Sequence, residues 1–125
     1  MSVGKYIGLL MSSRTQAHVF HLTTKSYSAH KALQTYYEDI VPLLDSYAET
    51  YMGSNNNRNR KRTISGITPF VNKRILSDAR FARMYFIKLS IALKKIKLPR
   101  NPYLDNIRQE IDALVRQTIY MLTLK

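Results

Sequence analysis

Three histidines, His18, His21 and His30, and a carboxylate pair, Asp45 and Glu49, are the side chains in this chain whose types and spacing could do metal chemistry. All five lie within residues 17–53. Residues three or four apart on a helix stand one above the other on the same face. Asp45 and Glu49 can therefore present two carboxylates to one point, and His18 and His21 two imidazoles. Imidazole with carboxylate is a ligand set suited to first-row metals such as iron, manganese or zinc. Each part alone has an ordinary alternative: a D-x-x-x-E pair is usually a solvated helix face, and a lone helical histidine is usually a packing residue.

The elements that must position these groups are helices. Residues 3–24 read as a first helix, with Tyr6, Ile7, Leu9, Leu10, Ala17, Phe20 and His21 at helical spacing. Gly4 and Gly8 weaken its first turns or admit a close neighbour. Thr23-Thr24-Lys25-Ser26 ends it. Ser28 is a suitable N-cap for a second helix, which places His30 in its first turn and runs to Gly53. Pro42 predicts a kink, because it removes a backbone donor and crowds the carbonyl four residues back. Thr68-Pro69 predicts the start of a third helix reaching about Leu98, with Ser77-Asp78 able to cap a second piece of it. Asn101-Pro102 opens a fourth by the same device. In that helix Leu104, Ile107, Ile111, Leu114, Val115, Thr118 and Leu122 follow a helical period. The expectation is an all-α chain, a single domain over residues 1–125: a helical bundle with one long connection, between helices 2 and 3.

The order Phe20-His21, a loop, His30, then Asp45 fifteen residues on and Glu49 four beyond it, resembles the Dps-like (miniferritin) branch of the ferritin-like superfamily. In that family a helix ends in Phe-His, the next helix opens with a second His, and a D-x-x-x-E pair follows at this distance. The resemblance covers residues 1–53; the C-terminal half matches only as helical pattern. Leu22 stands where the family usually has Trp, the loop between the histidines is shorter, and Pro42 interrupts the second helix. The resemblance implies a ferritin-like four-helix bundle and a ferroxidase centre shared across a two-fold dimer. On that resemblance His21 and His30 would come from one subunit and Asp45 and Glu49 from its mate, with Fe(II) oxidised by peroxide or dioxygen. It also implies further assembly into a hollow shell, commonly a dodecamer. His18, one turn before His21, is a candidate auxiliary ligand. The ordinary ferritin arrangement, two E-x-x-H motifs within one bundle, is absent from the sequence.

Composition adds a second theme. The formal net charge is +12 and there is no cysteine. Disulfides and thiolate metal sites are thereby excluded. Residues 1–53 carry four bases and four acids; residues 54–66 carry Arg58, Arg60, Lys61 and Arg62 and no acid; residues 67–125 carry twelve bases and four acids. Such a field attracts polyanions. Residues 54–66 read as a flexible, asparagine-rich basic loop able to contact phosphates without reading sequence. Lys94, Lys95 and Lys97 form a second basic cluster for DNA or another polyanion, although cations also suit a helix C-terminus. With so few carboxylates outside the site, metal binding and oxidation fit better than mineral storage.

There is no run of eighteen apolar residues, so no membrane span, and no secretion signal at the N-terminus. The expected location is cytoplasmic. Short, basic, cysteine-free Dps-like chains look like those of tailed phages and their hosts, which would make it the host cytoplasm or the virion. The alternative function is a non-enzymatic basic helical protein of a virion or nucleoprotein assembly, its His/Asp/Glu set a relic or a structural metal clip. No serine–histidine–acid order and no phosphate-cradling glycine loop is present.

Overall fold

The computed structural model of the protein describes residues 3–54, 64–70 and 79–124. Among them are four helices and no strand: α1 (Val3–Thr23), α2 (Tyr27–Ser54), α3 (Ala79–Lys95) and α4 (Pro102–Met121). No helix of the described residues is long and apolar enough to cross a membrane.

Helix α1 is the central element. Its only exposed residues are Lys5, Arg14 and Leu22, because the rest of its surface, Gln16, His18 and His21 apart, is apolar or small on every side, the pattern of a helix meant to be enclosed. Tyr6, Ile7, Leu10, Ala17 and Phe20 join Leu33, Tyr36, Ile40 and Tyr47 of α2, Phe86 and Leu93 of α3, and Leu104, Ile111 and Val115 of α4 in one core. Helix α1 packs on α2 and α3, and α4 packs on the same two. The four helices therefore stand at the corners of a bundle, with α1 diagonal to α4 and α2 diagonal to α3.

Contacts between helix ends set the directions. Phe20, near the end of α1, meets Tyr85 near the start of α3, with ring centroids 5.7 Å apart. Ser28 at the start of α2 donates to the carbonyl of Leu124, just beyond α4, at 2.9 Å. Arg108, early in α4, lies over the ring of Tyr6, early in α1, at 5.6 Å. So α1 and α4 run one way and α2 and α3 the other, and the link from α2 to α3 crosses the length of the bundle.

Part of that crossover is described, and it is docked. Residues 64–70 run along α1 in its own direction, over a stripe of small residues, Gly4, Gly8 and Ser12. A Cβ on Gly4 would overlap the carbonyl oxygen of Ser65, and one on Gly8 would stand 3.1 Å from the nitrogen of Thr68. Ser12 Oγ donates to the carbonyl of Gly8 at 2.8 Å and accepts from the N–H of Phe70 at 2.7 Å. Gly66, with φ of 76°, supplies the left-handed turn of the segment.

Three local expectations change. Residues 67–70 are not helical, so Thr68-Pro69 does not open the third helix. The Phe70 N–H is committed to Ser12 across the interface, and docking on α1 outweighs the local cap signal. Residues 64–66, expected to be flexible loop, belong to the same docked strip. The cap of α2 is Ser26, not Ser28: Ser26 Oγ accepts the N–H of Ala29 at 3.2 Å, while the Ser28 hydroxyl is committed to Leu124. Pro42 sits inside α2, which is continuous as an element from Tyr27 to Ser54. Both Pro42 and Glu38, whose carbonyl loses its helical donor, are exposed, so water can serve the freed group. Asn101 behaves as its type suggests, its side chain accepting from the N–H groups of Tyr103 and Leu104 at 2.8 and 3.4 Å, with Pro102 in the first turn. The expected Ser77-Asp78 cap lies outside the described residues.

Candidate functional site

The turn between α1 and α2 is three residues long, Thr24–Ser26, and it brings the two ends bearing His21 and His30 side by side. Their imidazole rings stack, with centroids 3.6 Å apart and planes 21° from parallel. The bonding is reciprocal. Nδ1 of His21 lies 2.8 Å from the carbonyl oxygen of His30, and Nδ1 of His30 lies 2.9 Å from that of His21. A carbonyl can only accept, so both Nδ1 atoms carry hydrogen. In the neutral rings the lone pair is then on Nε2 in each case.

His18 and Tyr37 extend the cluster. The His18 ring lies 6.1 Å from that of His21. Tyr37 stacks on His18 at 4.5 Å and meets His21 edge-on at 5.3 Å. His21 is buried, while His18, His30 and Tyr37 are half-buried. Tyr37 stands seven residues after His30, two turns along the same face, a spacing that could have marked it in the sequence.

Asp45 and Glu49 are elsewhere. Both are exposed, one turn apart, on the half of α2 away from the histidines. Fifteen to nineteen residues of helix separate them from His30, about 22–28 Å along the axis. Among the described residues no group of three or more His, Cys, Asp or Glu in one chain is placed to hold a metal ion. Within one chain the five candidate residues therefore fall into two separate groups, the histidines and the carboxylates.

The donor set is chemically apt for iron, manganese or zinc. A metal-ligating histidine typically donates its second ring nitrogen to a carbonyl or carboxylate, which fixes the tautomer, and both histidines here are fixed in that way. The two Nε2 lone pairs lie in separate, nearly parallel ring planes, so a single ion shared by both rings requires them to splay. As they stand they also clasp the α1–α2 turn.

Of the basic candidates, Lys94 and Lys95 are exposed in the last turn of α3 and Lys97 is exposed just beyond it. Arg58, Arg60, Lys61 and Arg62 lie outside the described residues. One basic residue of structural consequence had no sequence signal: Arg108 donates Nη2 to the carbonyls of Leu93 and Ile96, at 2.7 and 3.1 Å, closing the C-terminus of α3.

The buried tyrosines are strongly perturbed. Burial pushes the hydroxyls of Tyr6, Tyr36 and Tyr85 well above the usual phenol range, and that of Tyr47 up to about 12. For Tyr6 the nearby Asp112 carboxylate adds to the effect and Arg108 opposes it. Tyr36 donates to Ser13 Oγ at 2.7 Å, since the Ser13 hydrogen is given to the carbonyl of Leu10.

No solved structure matches the chain. Over 49 residues it is 39% identical to an uncharacterized 14.6 kDa protein in the mobD-ri intergenic region of enterobacteria phage T4. The match covers 39% of this chain and 38% of that protein, so the chain spans well under half the length of the curated relative it matches. Residues 21–122, which include His21, His30, Asp45, Glu49 and all of α2, α3 and α4, match the model of a family of unknown function, DUF5856, and the protein belongs to that family.

Proposed function

We propose that the protein is a subunit of a ferritin-like, Dps-type assembly. In it Fe(II) is held between His21 and His30 of one copy and Asp45 and Glu49 of its mate, and is oxidised there. The observation that carries this reading is the tautomer of the histidine pair: both Nδ1–H groups are given to backbone carbonyls, leaving both Nε2 atoms for a metal. The antiparallel α1–α2 and α3–α4 pairs joined by one long crossover support it, being the connectivity of ferritin-like bundles.

The separation of the two halves along α2 has a simple resolution. Two copies of α2 packed antiparallel about a two-fold axis near Tyr37 and Glu38 set each His30 level with the other copy's Asp45. Each pair of subunits then completes two sites. The carboxylates supply the negative charge that holds Fe(II) and favours Fe(III), and the imidazoles complete the ligand set. Peroxide takes one electron from each of two Fe(II) ions and, with two protons, leaves as water. Mn or Zn suits the same donors and would make the site structural.

The test is Fe(II) with peroxide, followed by ferric absorbance, on the parent protein, Asp45→Ala/Glu49→Ala and His30→Ala. Both variants are expected to lose the fast phase. Equal rates in all three remove the ferroxidase and leave a non-enzymatic basic helical protein of a virion or nucleoprotein assembly. The pairing is tested separately: the chain has no cysteine, so Glu38→Cys introduces a single thiol beside the expected axis. Oxidation should give a disulfide-linked dimer, whereas a thiol that stays monomeric places the axis elsewhere.

A further inference from the structure

The outer surface of α3 is made of two kinds of residue only. Between residues 79 and 95 seven side chains are exposed: three are the large apolar Phe81, Met84 and Ile91, and the other four, Arg80, Lys88, Lys94 and Lys95, are all lysine or arginine. Phe81, Met84 and Ile91 are 53%, 49% and 51% exposed. No aspartate or glutamate occurs in the whole stretch. A solvated helix face ordinarily mixes acids and amides with its bases; this one has none.

The two kinds are also ordered. At 3.6 residues per turn, Met84 and Ile91 fall at the centre of the outward face, opposite the core residues Ala82, Phe86, Leu89 and Leu93. Lys88 and Lys95 flank that apolar ridge on one side. On the other, Lys94 and Arg116 stand beside a groove of about 340 Å³ between α3 and α4, whose apolar lining includes Ile87 and Ile119.

We propose that this face of α3 docks on an anionic phospholipid surface, the apolar ridge entering the interface and the flanking cations lying at the level of the headgroups. An apolar ridge with basic flanks is the pattern of a helix lying in a membrane interface. Charge alone would serve nucleic acid equally well. A phosphate backbone, however, gains nothing from methionine and isoleucine at the centre of the contact. A protein partner would need an acidic cleft shaped to receive a convex ridge, whereas a bilayer accepts one without a matching cavity. The surface lies on the corner of the bundle diagonal to α2, so it stays free when α2 pairs with a mate, and it stands whether or not iron is bound.

The experiment is co-sedimentation of the full chain with vesicles of equal parts phosphatidylglycerol and phosphatidylcholine, with vesicles of phosphatidylcholine alone, and with duplex DNA as a competitor. The parent protein is expected to pellet with the anionic vesicles and not with the neutral ones. Lys88→Ala/Lys95→Ala should weaken partitioning about thirtyfold. Met84→Ser/Ile91→Ser, which keeps every charge, should weaken it by roughly tenfold or more. All four positions are exposed, so both variants should keep the parent helicity and thermal midpoint, which circular dichroism checks. The proposal is overturned if the serine variant binds anionic vesicles as the parent does, if neutral vesicles bind as well as anionic ones, or if DNA is retained where anionic vesicles are not.

Discussion

His21 and His30 show how one pair of side chains can serve two purposes. Their reciprocal bonds close the α1–α2 turn, each ring capping the other's carbonyl, and the same bonds leave Nε2 of each ring free. Two hydrogen bonds, each worth about 1 kcal/mol net, together with loss of the stack, set the scale of the clasp. His21→Ala should therefore lower stability by about 2 kcal/mol, read as a fall in the urea midpoint with unchanged slope. A metal site with no structural role would leave the metal-free protein unmoved by this substitution. Of the five residues singled out by type and spacing, the histidines were brought together by a short turn. Asp45 and Glu49 were not, because a continuous helix holds residues fifteen apart at opposite reaches of the bundle, whatever their chemistry.

At the scale of the element, α1 carries a face without side chains of any size, and the crossover occupies it. Gly4 has no room for a methyl group against Ser65, whereas Gly53, near the end of α2, has nothing within 4 Å. Alanine favours a helix over glycine by about 1 kcal/mol. Gly53→Ala should raise stability by up to that amount, while Gly4→Ala should lower it by about 1–3 kcal/mol because the strip must move. Thermal unfolding of the two variants gives opposite shifts if the strip is docked as described, and shifts of the same sign if it is not. The Gly4/Gly8 spacing suggested a close neighbour; what it could not say is that the neighbour would be the stretch containing Thr68-Pro69. That pair reads as a helix start only while its long-range partner is unknown.

For the whole molecule, the diagonal placement of α2 and α3 separates charge. Of the five exposed acids among the described residues four, Glu38, Asp39, Asp45 and Glu49, lie on α2 and one, Glu110, on α4, whereas α3 exposes bases and no acid. The core between them is rich in tyrosine. Tyr6, Tyr36 and Tyr47 are fully buried, and these with Tyr85 hold their protons far above the ordinary phenol range. The unfolded chain ionises these hydroxyls near pH 10 while the folded chain keeps them neutral, so stability must fall as the pH rises from about 10 toward 12 and beyond. Urea midpoints across that range should drop steadily, and tyrosinate absorbance from these four rings should appear together with loss of helicity. Ionisation of all nine tyrosines before any unfolding would show that the core is open to solvent.

Local pattern alone decided much of this protein: the all-α class, the extents of α1 and α2 to within a residue or two, and the Asn101-Pro102 start of α4. These are written in side-chain periodicity and capping chemistry, which act over a few residues. Tertiary structure decided the rest: that Ser26 caps α2 because Ser28 is held by Leu124, that the crossover lies flat on α1, that the histidines stack, and that the carboxylates stand far from them. Those outcomes depend on which surfaces compete to bury one another, and residues close in the chain do not record the surfaces they will meet.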